Sequence, residues 1–172
     1  MGSIFTISIL QSALELGFIY SLVVLALFVS FSILNIADLS TDGCFTLGCA
    51  VAASVTIAGH PVLALFLAMG AGIISGFVTA FLQTRLGVES ILAGIIVNTG
   101  LYTINIAAMG FSSNMNLFKC DSIFTIVRDF IQEHMGDAAV QILIRKGWYK
   151  LILVAVIVII VSVLLSGFLG TR

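Results

Sequence analysis

Charge is scarce in this sequence. Only 9% of its 172 residues are Asp, Glu, Lys or Arg, too few to cover a globule in water. Seven bases against eight acids give a net charge of -1, which excludes the basic face that binding to nucleic acid requires. Proline occurs once, at Pro61. The cysteines, Cys44, Cys49 and Cys120, match no metal spacing and no disulfide framework, so they are expected to be free and packed as small hydrophobes. The two histidines, His60 and His134, do not make a metal set, and His60 reads as a turn residue. There is no nucleotide-binding loop and no Ser/His/Asp or Cys/His set, so no enzyme and no cofactor is indicated. The N-terminus has no basic region or small-residue cleavage site, so it is not a signal peptide.

What is abundant is apolar. Hydrophobic residues make up 60% of the chain and mean hydropathy is +1.25. They come in long runs, not in the alternation of a membrane barrel, and the runs reach the roughly 20 residues that a bilayer core demands. The fold class is therefore all-α, a polytopic helical membrane protein with about five transmembrane helices, a single domain over 1–172.

Residues 4–15 are apolar with Thr6, Ser8, Gln11, Ser12 and Glu15 interspersed. They are expected to form an N-terminal interfacial helix, the alternative being that they lengthen the first span. That span runs Gly17 to Ile36. The next apolar stretch, Gly43 to Ala58, has about 16 residues and would rise about 24 Å, short of the roughly 30 Å hydrocarbon core. Its small residues favour a short or broken helix buried among others. Gly59-His60-Pro61 is a turn, with Pro61 suited to a first helical turn. Val62 to Leu82 follows, carrying the GxxxG of Gly72 and Gly76 as a packing face. Ile91 to Phe111 is the fourth span. Its Asn98 and Asn105 are costly in lipid, so they face either other helices or a polar path. Residues 112–147 form an extramembrane loop with a short amphipathic surface helix over Ile123–Met135. Trp148 and Tyr149 mark a membrane interface, and Leu151 to Leu169 is the last span.

Between the first two apolar runs lies Asn35-Ile-Ala-Asp-Leu-Ser-Thr-Asp42, with Gly43 and Gly48 just beyond. Asn35, Asp38, Asp42, Asn98 and Asn105 are the candidate pathway or helix-break positions, and Gly43, Gly48, Gly72 and Gly76 the candidate packing positions. Asp38 and Asp42 sit where acids complement a helix N-terminus, and this anchoring role weighs above substrate contact.

The block Ala37-Asp-Leu-Ser-Thr-Asp-Gly-Cys-Phe-Thr-Leu-Gly-Cys-Ala-Val51 resembles a signature of ABC-transporter permeases of the branched-chain amino acid/ribose importer family, nearest to the tryptophan/tyrosine importer group. Thr84-Arg-Leu86 leading into Ile91-Leu-Ala-Gly-Ile95, and Leu101-Tyr-Thr-Ile-Asn-Ile-Ala-Ala-Met-Gly110, are similar to the same group's pattern. The resemblance implies a permease subunit of an ATP-driven importer for a small polar solute, an amino acid by analogy, in a prokaryotic plasma membrane. The implied partners are a second permease subunit, ATP-binding subunits, an extracytoplasmic substrate-binding protein and the lipid bilayer. Members of the family are longer, so this chain looks like an N-terminal portion. The resemblance puts residues 112–147 outside the cell, whereas counting Lys and Arg puts them inside. Half of an ion-coupled carrier and a non-transporting scaffold are the alternative functions.

Overall fold

The computed structural model describes residues 7–36, 38–112, 114–118, 120–134 and 147–170. They form six helices and no strand: α1 Ile7–Leu34, α2 Thr41–Ile57, α3 Pro61–Thr84, α4 Ser90–Ala108, α5 Ile123–His134 and α6 Trp148–Gly170. Stretches within α1, α3, α4 and α6 are long and apolar enough to cross a membrane, and α2 is the shorter apolar helix. The all-helical, polytopic membrane class expected from the apolar runs is the one observed.

The chain divides into two compact units. One takes the residues up to Leu25 and those from Phe124 onward, and the other is Ala26–Ile123.

The N-terminal interfacial helix is corrected. From Ile7, α1 runs unbroken for 28 residues, about 42 Å, so this segment lengthens the first span. Two of its polar residues pair with each other inside the helix. Gln11 Nε2 donates to Glu15 Oε1 at 3.1 Å, one helical turn away. Asn35 ends the helix. Its φ of 53° lies in the left-handed region that asparagine tolerates better than most residues, and its N–H still donates to the Phe31 carbonyl at 3.0 Å.

In the second unit α2 is the central element, packed on both α3 and α4. It buries Gly43, Leu47 and Ala50, spaced along one face. Leu47 meets Val97 and Leu101 of α4 in a cluster completed by Cys44, Val51, Ala71 and Leu82. Gly59, at φ 89°, closes α2. Its N–H reaches the Thr56 carbonyl and that of His60 reaches Val55, a Schellman arrangement after which Pro61 opens α3. The same device at Gly110 and Phe111, bonded to Ala107 and Ile106, stops α4 at Ala108. The fourth span therefore ends short of the Phe111 expected from hydropathy.

The contacts fix the helix directions. Ser40 meets Thr79, and Gly48 lies against Ala68, so α3 runs antiparallel to α2. Gly43 lies against Asn98, and Ser54 donates to the Ala108 carbonyl, so α4 runs parallel to it. Leu39 crosses α4 at Gly94, four residues after Ser90. The break at Leu39 thus lies about 6 Å along α4 from its start, beside a helix long and apolar enough to cross a membrane. Non-helical backbone at membrane depth is tolerated only when it is buried in protein or lines a cavity.

Candidate functional site

The break is held by a buried polar chain. Ser40 is fully buried. Its N–H and its hydroxyl both donate to Asp38 Oδ1, at 2.8 and 2.7 Å. A carboxylate only accepts, so the single Ser40 hydroxyl proton is committed to Asp38. The Thr79 hydroxyl lies 2.9 Å from that of Ser40 and is also within reach of the Ser75 carbonyl, at 3.2 Å. Thr41 Oγ1 closes the turn on the Asp38 carbonyl at 3.0 Å. Asp38 is thus bonded within the turn that precedes α2, and it is absent from the cavity described next. Asn35 is likewise a helix terminator outside that cavity.

Asp42, Gly43, Thr46, Asn98, Thr99, Tyr102 and Asn105 line a cavity of about 370 Å³ between α2 and α4, within the size range of small-molecule sites. Three of the five pathway candidates, Asp42, Asn98 and Asn105, come together here although 56 residues separate Asp42 from Asn98 in sequence. Thr46 was not anticipated. It lies one turn beyond Asp42, and that spacing was the available signal.

The lining offers acceptors alongside the donors of the Asn98 and Asn105 amides and the Tyr102 hydroxyl. It contains a carboxylate and no Lys, Arg or His. The Thr46 and Thr99 hydroxyls spend their protons on their own helix, donating to the Asp42 carbonyl at 2.9 Å and the Ile95 carbonyl at 2.8 Å, and keep lone pairs to offer. Asn105 is only 6% exposed, and its Oδ1 has no hydrogen-bond partner among the described residues. An unpaired buried acceptor costs about 1–3 kcal/mol, and in this conformation Asn105 Oδ1 is closed off from water, so a donor reaches it only if the α2–α4 packing opens. Among the described residues there is no group of His, Cys, Asp or Glu suited to a metal.

The glycines divide sharply. A Cβ on Gly43 would collide with the Asn98 side-chain oxygen, and Gly48 faces the Ala68 carbonyl at ordinary van der Waals distance. At Gly72 and Gly76 a Cβ would meet nothing within 4 Å, so among the described residues the GxxxG is not a helix–helix contact. The close-packed glycine that sequence reasoning missed is Gly94, where a Cβ would stand 3.0 Å from Leu39 Cβ and 3.1 Å from its backbone nitrogen.

Residues 9–172 match the family described as branched-chain amino acid transport system, permease component. The chain belongs to that family. It is 34% identical over 114 residues to a protein named tyrosine transport system permease protein from Clostridioides difficile, covering 66% of this chain and 38% of the relative. It is 32% identical over 163 residues to an uncharacterised protein of Rickettsia prowazekii, covering 95% of this chain and 52% of that protein. The chain thus spans about half or less of the length of these relatives. No solved structure matches. As a permease-family chain with several membrane-spanning helices, it is a multi-pass protein of the prokaryotic cell membrane.

Proposed function

We infer that this permease-family chain forms part of the translocation path of an ATP-driven importer for a small amino-containing solute, and that the cavity between α2 and α4 belongs to that path. The observation that carries this is the polar lining of the cavity, with the orphaned Asn105 Oδ1 among otherwise apolar helices. Polar groups at membrane depth are expensive and mark solute pathways. A lining with one carboxylate, several free lone pairs and no cation suits a solute that brings N–H donors. An amino acid fits, and the name of the Clostridioides relative makes tyrosine the first one to try.

Two conformations of packed helices would alternate access to the cavity. The ATPase would be a separate subunit, a second permease subunit would complete the path, and an extracytoplasmic binding protein would deliver the solute. The deciding experiment is uptake of labelled L-tyrosine into proteoliposomes carrying the permease with its ATP-binding subunits. Uptake that needs internal ATP and survives collapse of ion gradients supports the importer. Uptake by the chain alone under a proton or sodium gradient would establish the carrier instead, and no uptake of any amino acid under either condition would favour the scaffold.

A further inference from the structure

The twelve residues of α5, Ile123–His134, have a partition that the cavity does not use. Ile123, Phe124, Ile126, Val127, Phe130 and Ile131 fall within about 160° of helix circumference, a sector that the terminal His134 shares by register, and Thr125, Arg128, Asp129, Gln132 and Glu133 fill the opposite side. Ile126 and Phe130 are openly exposed, Phe130 at 60%. No other described helix packs extensively on α5. In water such a face would be a liability.

The level of the helix is set by its neighbour in the same unit. Lys150, in the first turn of the spanning helix α6, places its Nζ 6.0 Å from the centre of the Phe124 ring, a cation–π distance. Trp148 and Tyr149, immediately before Lys150, are residues of the kind that sit at the headgroup level. The contact sets the start of α5 beside the first turn of α6, next to the residues that mark the headgroup level.

We propose that α5 is an interfacial helix lying in the plane of the bilayer surface, with Ile126 and Phe130 inserted among the lipids. The occupant of its open face is lipid. Insertion is driven by apolar contact and not by attraction to anionic headgroups. Arg128 is paired with Asp129 at 2.9 Å, and the polar side also carries Glu133, so it has no cationic surplus to attract them. The inference rests on the membrane location and the Lys150–Phe124 contact. It does not depend on the transport reading.

The test compares hydroxyl-radical labelling of the unmodified chain in nanodiscs of zwitterionic phosphatidylcholine. Phe118 is 98% exposed and serves as the internal reference. Phe130, 60% exposed, is expected to be labelled several-fold more slowly than Phe118, well beyond the ratio of their exposures. A second measurement uses Phe130→Trp and Gln132→Trp on a Trp148→Phe background. Acyl-brominated lipid should quench Phe130→Trp and leave Gln132→Trp unaffected, while aqueous iodide should do the reverse. Labelling of Phe130 as fast as Phe118, or iodide quenching of Phe130→Trp without quenching by brominated lipid, would overturn the proposal and put α5 in water or under a protein partner.

Discussion

Replacing Gly94 with Ala tests how rigidly the break before α2 is held. The added methyl would lie 3.0 Å from Leu39 Cβ, 3.1 Å from its backbone nitrogen and 3.3 Å from its Cα. These neighbours belong to the backbone and its first side-chain atom, and none can rotate away. Leu39 is also confined from both sides, because Asp38 and Ser40 are bonded to each other and, through Ser40, to Thr79. Overpacking a site that cannot yield costs about 1–3 kcal/mol. Against that, alanine gains up to about 1 kcal/mol over glycine inside a helix. Gly76→Ala separates the two effects, since its Cβ meets nothing within 4 Å and only the helix gain remains. The expected result, in unfolding by sodium dodecyl sulfate titration from mixed micelles, is that Gly94→Ala lies about 1–3 kcal/mol below Gly76→Ala. Equal stability of the two variants would show that the break can shift and that the polar chain at Ser40 does not pin it.

Two further substitutions probe the same region. Ser40→Ala removes a buried hydroxyl between Asp38 and Thr79 and is expected to cost about 1–3 kcal/mol in the same titration; an unchanged midpoint would mean that the hydroxyl chain contributes nothing net. Asn35→Gly is expected to leave stability equal or slightly raised and Asn35→Ala to lower it by about 1 kcal/mol, because residue 35 has φ 53°; equal stabilities would contradict a left-handed helix terminator there.

Much of the architecture was legible because hydropathy and the hydrocarbon thickness constrain each other. The long apolar runs became α1, α3, α4 and α6, and the small-residue run became the short α2. The features that required three dimensions were different in kind. Gln11 and Glu15 looked like the polar face of a surface helix, yet a hydrogen bond one turn apart lets them stay in a continuous α1. Asn35 read from the sequence as either a pathway or a helix-break residue, and the left-handed backbone conformation that ends α1 there needed three dimensions to see. Gly72 and Gly76 carry a packing motif whose face has no neighbour within 4 Å among the described residues, while Gly94, in no motif, lies against Leu39. Residue types alone singled out Asp42, Asn98 and Asn105. Their convergence depends on α2 and α4 running parallel at the register that sets Gly43 against Asn98, and nothing local in the sequence encodes that register.

The claim that the α2–α4 cavity carries the solute is tested most directly by Asn105→Leu, measured for both stability and ATP-dependent uptake of labelled L-tyrosine in the assembled transporter. Leucine removes an acceptor that has no partner among the described residues, so folding stability should stay level or rise by up to about 1 kcal/mol. Uptake should fall at least about tenfold, the equivalent of losing about 1.4 kcal/mol of interaction with the solute. Undiminished uptake by a stably folded Asn105→Leu protein would contradict the account and place the path elsewhere.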